Sequence, residues 1–337
     1  MIKDSYASIL DRLLDPVSPG VRFLALRDLV GSPPDDPERV AARRAAHQEG
    51  QIAVILKNMH PDGYWSKPGP GYNPKYFSTV WALIMLSQLG ASISESKDLD
   101  NACRYLLDHA LTPQGQFSTN GTPSGTIDCL QGNLCAALVE LGSKDVRLSK
   151  AFEWMARAQT GEGMAPATEK DAPVRYYAYK CGPNFACGAN GHLPCAWGAV
   201  KVMLAFGKLP QEQRTPLIQR AIQQGADFLL GVDPATAGYP THNAGKPNRS
   251  WWKFGFPVFY VTDIMQIVES LQQLGYGNDA RLSGAIDLIR QKQGNDGFWP
   301  LEYTYAGKTW VEFGVMQQPN PWVTLRALKI MKNAGIC

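Results

Sequence analysis

Gln293-Gly294-Asn295-Asp296-Gly297-Phe298-Trp299 separates two apolar runs of helical spacing, 285–293 before it and 322–335 after it. The glycine permits a tight turn as the first helix ends. The aromatic that follows is large enough to plug the gap between one helical hairpin and the next. The same arrangement recurs upstream. Residues 52–59 lead through Asp62-Gly63-Tyr64-Trp65 to 79–90, and 102–110 lead through Gln114-Gly115-Gln116-Phe117 to 126–142. Residues 151–159 lead through Gly161-Glu162-Gly163-Met164 to 192–207, and 218–230 lead through Gly238-Tyr239 to 261–275. Self-similarity at this period means stacked helical hairpins. Period-2 alternation, the mark of strands, is nearly absent.

Outward from the repeats, the N-terminal segment is also helical. Tyr6, Ile9, Leu10, Leu13 and Leu14 recur at helical spacing, and Pro16-Val17-Ser18-Pro19-Gly20 breaks the run. A second amphipathic run, 21–30, ends at Gly31-Ser32-Pro33-Pro34, and 41–46 belong to a third helix. These bring the count to about six hairpins. The expected organisation is an N-terminal helical extension, 1–48, packed on a repeat domain, 49–337.

A chain of 337 residues with 45% hydrophobic and 19% charged residues can bury a large core in one domain or two. A net charge of +3 without a Lys/Arg patch argues against nucleic acid as a partner. No apolar stretch approaches the ~20 residues that span a bilayer, and Met1-Ile2-Lys3-Asp4-Ser5 lacks a signal-peptide core. The expectation is a soluble, cytoplasmic protein. Its seven cysteines are then core residues, ligands or nucleophiles rather than disulfides.

Gln293-x-x-x-Gly297-x-Trp299 resembles the Gln-Trp repeat of squalene and oxidosqualene cyclases, and Met59-x-x-x-Gly63-x-Trp65 is a degenerate copy. The set is similar to the terpenoid cyclase and protein prenyltransferase superfamily. The resemblance implies an all-α fold, an α/α toroid of about six helical hairpins, with the second helix of each pair inside and an active cavity at the centre. The D-x-D-D acid motif of the cyclases is missing. Its nearest counterpart, Asp98-Leu99-Asp100, lies at a loop–helix boundary where acidic residues act as caps. Protein prenyltransferases activate a thiolate with zinc, held by an Asp and a Cys at the start of one inner helix and a His on a later one. Asp128, Cys129 and His192 resemble that pattern, with the first two adjacent rather than separated by one.

The residues themselves make a parallel case. Cys129 and Cys195 sit in matching frames, Cys129-Leu130-Gln131-Gly132 and Cys195-Ala196-Trp197-Gly198, each opening an apolar helical run. If those helices are neighbours, the two thiols meet at their N-terminal ends, where the helix dipole favours thiolate. Cys181, Cys187 and His192 lie on the loop leading into the second frame, so four thiols and an imidazole converge near Asp128. Zinc takes four such ligands, and Cys181-x5-Cys187-x7-Cys195 is a loose version of its spacing. A closed four-cysteine site would be structural, whereas a catalytic zinc keeps an open position. The bland alternative is that these are small buried hydrophobes.

Asp128 and Asp263 occupy corresponding positions at inner-helix starts. Buried in an apolar ring they would act as general acid or base; otherwise they are N-terminal helix carboxylates. Three long loops, 69–77, 242–256 and 301–321, bring Tyr76, Trp251, Trp252, Tyr260 and Trp310 toward a substrate cavity whose aromatic faces attract positive charge. The leading functional expectation is an enzyme acting on a small hydrophobic substrate of isoprenoid type, with zinc as candidate cofactor. A carbohydrate lyase or hydrolase would need an open groove rich in carboxylates. A non-catalytic scaffold would have its cavity filled by side chains, around a structural metal or none.

Overall fold

The computed structural model describes all residues except 1, 167, 170, 172–174, 177–180 and 244. The fold class is the expected one: all-α, built from helical hairpins. The helices are α1 (Ile2–Leu13), α2 (Pro19–Leu24, continuing as a wider turn over Ala25–Val30), α3 (Pro37–Gln48), α4 (Gly50–Lys57), α5 (Thr79–Gln88), α6 (Lys97–Ala110) and α7 (Asp128–Glu140). They continue as α8 (Arg147–Thr160), α9 (Ala196–Lys208), α10 (Pro216–Leu230), α11 (Ile264–Gln273), α12 (Ser283–Gln291) and α13 (Pro321–Asn333). Strand structure among the described residues is slight: Ala165–Pro166 pairs in parallel with Arg175–Tyr176, alongside isolated bridges.

Inner and outer helices differ in how their surface is spent. Every residue of α5 from Thr79 to Ser87 is buried, the mark of a helix enclosed on all sides. In α6 only Leu99, Ala102, Cys103, Leu106, Leu107 and Ala110 are buried, one stripe that faces inward. The inner helices α5, α7, α9, α11 and α13 pack in that order. The α2 segment closes the circle: Gly20 lies against Trp322 of α13, and Gly90 after α5 lies against Phe23 and Leu24. The expected boundary at 48–49 thus falls between α3 and α4, and α2 on its N-terminal side takes a place in the ring.

The repeat glycine–aromatic turns hold each hairpin together in one recurring way. Trp65 and Trp299 are fully buried, and their indole N–H groups donate to Ile55 and Ile289 carbonyls, each at 2.7 Å and ten residues back. Tyr239 makes the same ten-residue reach from its hydroxyl to the Leu229 carbonyl. The Trp65 and Trp299 backbone N–H groups bond Thr79 and Thr324 on the following inner helix, and Phe117 N–H bonds the Gln131 side chain. Trp65, Phe117 and Trp299 are structural staples, which removes them from the candidate site, whereas Tyr239 also lines it.

The closest helix pair is α7 and α9. A Cβ on Gly132 would stand 2.3 Å from the Lys201 carbonyl carbon, so only glycine permits the approach. At the C-terminal end of the ring, charges from several helices meet. Glu140 of α7 pairs with Arg27 and Lys208, Asp28 with Lys329, and Glu269 with Lys329. Burial alone would raise Glu140, but Lys208 and Arg27 outweigh it and hold it well below the usual carboxylate range. These groups surround a cavity of about 160 Å³ that all six ring segments line.

Candidate functional site

The opposite end of the ring, at the N-terminal ends of the inner helices, holds the larger opening toward the thiols. It is a pocket of about 450 Å³. The starts of α7 and α9 form its floor through Cys129 and Cys195, and the loop ahead of α9 adds Cys187. Tyr72, Trp197, Tyr239, Trp251 and Tyr260 form its walls. Its rim carries Lys75, Lys246, His242 and several amides, with no carboxylate among the described lining residues.

The expected meeting of Cys129 and Cys195 occurs, and it extends further as a chain. Cys187 neighbours Cys195, and Cys195 neighbours Cys129, closely enough for each thiol to act on the next. Cys195 is pushed up to about 12, first by its bond to Cys129 and then by burial, against relief from Cys187. The lowering expected for Cys195 from its helix N-terminus is thus overturned, because Cys129 and burial both raise its thiol. Cys187 is raised for the same reasons.

Asp128 opens α7 directly behind this chain. It is 6% exposed, accepts a bond from Cys181, and its Oδ2 has no partner among the described residues. Burial raises it from 3.8 to about 7, with the Cys181 bond opposing and Cys187 adding. It is also the first residue of α7, the N-terminal helix carboxylate of the bland reading. Gly198 of α9 makes room for it, since a Cβ there would lie 3.2 Å from the Asp128 Cβ.

Asp263 has a different setting. Its Oδ1 accepts the Gln266 N–H at 2.9 Å, capping α11, and both oxygens bond Arg326 at 2.8 Å. It lines neither cavity. Between the two ends lies Lys201, fully buried in α9 and bonded to Gln266. Burial brings its ammonium down to about 7, with Asp263 and Cys129 opposing.

Of the aromatics expected in the cavity, Trp251 and Tyr260 line it. Tyr76 packs behind the wall, stacked on Phe259 at 5.0 Å and edge-on to Trp81. Trp252 and Trp310 are committed elsewhere: their indole N–H groups donate to the Ala235 and Phe77 carbonyls at 2.9 Å. His192 is exposed, at a left-handed backbone position where its N–H bonds the Cys187 carbonyl. Among the described residues no three His, Cys, Asp or Glu side chains are arranged to share one ion. The donor set expected for zinc, Cys129, Cys181, Cys187, Cys195 and His192, is not gathered at one point among the described residues.

Two residues escaped the sequence reading. Lys75 Nζ lies 5.0, 5.3 and 5.9 Å from the ring centres of Tyr72, Tyr260 and Trp81. Its signal was a cation among aromatics in Tyr72-Asn73-Pro74-Lys75-Tyr76. Trp197, which meets Trp251 edge-on at 6.4 Å, was marked by its place in the second cysteine frame.

No family model matches the chain, and no curated protein matches it. Solved structures of the type II terpene cyclase MstE from Scytonema align with it over 88% of this chain and 98% of theirs. A variant in complex with merosterolic acid A gives 12% identity and a TM-score of 0.37. A variant in complex with geranylgeranyl dihydroxybenzoate gives 13% and 0.36. At these values the likeness assigns no function.

Proposed function

We propose that the protein is an enzyme acting on a small hydrophobic substrate in the mouth pocket, of the isoprenoid class in which positive charge develops on carbon. The observation that carries this reading is the cradle around Lys75. Three aromatic faces converge on one ammonium in a pocket whose described lining has no carboxylate. Such faces stabilise a cation without a counterion that would trap it. Asp128, whose proton burial holds up to about 7, is the proton store. Asp263 has no part, since its oxygens are occupied. No step is routed through zinc.

The carbohydrate reading is less favoured because the pocket's described lining has none of the paired carboxylates that glycoside chemistry uses. The test is incubation with linear isoprenoid alcohols and acids of graded length, with products resolved by chromatography and mass spectrometry. Isomerised or cyclised products are expected, lost in Asp128→Asn and reduced in Trp251→Ala. Undiminished turnover in Asp128→Asn would remove the acid role. Turnover undiminished by Trp251→Ala would move the chemistry out of this pocket.

A further inference from the structure

The mouth pocket contains a second chemistry that the hydrophobic-substrate reading leaves unused. Of the seven cysteines, Cys103 and Cys135 are buried inside helices, Cys181 faces Asp128, and Cys337 ends the chain. Cys129, Cys187 and Cys195 line one pocket, and among the described residues they are the thiols that act on one another as neighbours within it. Cys129 and Cys195 are both half-buried and both line the pocket. They stand at the starts of the two most closely packed helices of the ring, where Gly132 and Gly198 bring α7 and α9 together. A pair held this way needs little backbone movement to join. Cys187 is more deeply buried, at 8% exposure, and its thiol points at Cys195 from the far side. The buried Asp128 carboxyl next to the cluster, whose Oδ2 has no partner among the described residues, is a second sign that this corner is not built for packing alone.

We propose that Cys129 and Cys195 form a redox-active dithiol, oxidised by a hydroperoxide that enters the mouth pocket. The Cys129 sulfur attacks the terminal oxygen of the hydroperoxide, the O–O bond breaks, and the alcohol leaves with the thiol proton. Cys129 is then a sulfenic acid. The Cys195 sulfur displaces its hydroxyl as water, and the S–S bond forms. Two thiols and one hydroperoxide give one disulfide, one alcohol and one water, with two electrons passing from sulfur to the peroxide. Neighbouring thiols are what this reaction requires. The proposal does not rest on the isoprenoid reading, because thiols are counted without any substrate.

The experiment treats the whole chain with one equivalent of hydrogen peroxide, alkylates it under denaturing conditions, and maps the peptides by mass spectrometry. The protein should lose two of its seven free thiols and yield a Cys129–Cys195 linked peptide, reversed by excess dithiol reductant. Cys195→Ser should stop at a sulfenic acid on Cys129 that dimedone traps. Cys187→Ser should still form the link. A Cys187–Cys195 link in the wild type would overturn the assignment, as would seven unreacted thiols or sulfonic acid formed without any disulfide.

Discussion

The two ends of the ring use the same helices and treat buried polar groups in opposite ways. At the C-terminal end, Glu140, Glu269 and Asp28 each meet cations, and burial is outweighed by pairing. At the N-terminal end, Asp128 is buried beside a thiol, and burial wins. The smaller cavity lies among matched charges, and the larger pocket lies among aromatics, thiols and a lysine held over rings. Matched charges hold helices together. A buried carboxyl left near neutral pH costs stability and provides chemistry. The comparison therefore puts the ring's paired charges at one end and its carboxyl raised by burial at the other.

The largest expected effect comes from breaking the paired end. Glu140→Ala takes the carboxylate from half-buried Lys208 and one of two from half-buried Arg27, which keeps Asp28, and should cost about 3 kcal/mol or more in urea unfolding. Because Glu140 is held below its ordinary 4.5, its contribution is present above that pH and fades as pH falls below it. The gap between wild type and variant should therefore narrow in acid. An unchanged midpoint at neutral pH would show that these pairs do not close the ring.

At the other end the sign reverses. The folded chain keeps the Asp128 proton up to about 7, whereas the unfolded chain releases it near 3.8. Stability then falls as pH rises between those values and is level above them. Asp128→Asn should stabilise the protein by about 2–4 kcal/mol at slightly alkaline pH and by little in acid, read from urea midpoints across pH. A destabilised variant at alkaline pH would mean that the carboxylate is paired after all, and the contrast between the ends would collapse. The smallest effect should come from Lys75→Gln. It removes a cation from three ring faces, with a stability change of about 1 kcal/mol or less.

The fold was legible because the repeat states its own physics. Gly63-Tyr64-Trp65 and Gly297-Phe298-Trp299 announce a turn and a staple, and their i−10 indole bonds are near copies. The meeting of Cys129 and Cys195 was legible from matching frames, since equivalent positions on adjacent hairpins are neighbours. What the thiols do on meeting was not, because hydrogen bonding between sulfurs depends on side-chain direction. Asp128 and Asp263 look alike in sequence and diverge in the fold. The reason is Arg326, which lies 63 residues beyond Asp263 and has no counterpart bonded to Asp128 among the described residues. The α2 segment's place in the ring was also hidden, since it carries no Gly–aromatic turn of the repeat kind.

The most direct measurement of the central claim, that the mouth pocket is the working end, is equilibrium binding of an unreactive quaternary ammonium with a long apolar tail. Tryptophan fluorescence and calorimetry would be read on the wild type, on Trp251→Ala in the mouth, and on Ser87→Ala, which lines the opposite cavity. Saturable binding to the wild type, weakened about tenfold or more by Trp251→Ala and unchanged by Ser87→Ala, is the predicted result. Binding that ignores Trp251→Ala and responds to Ser87→Ala would place the ligand at the charged end and contradict the account.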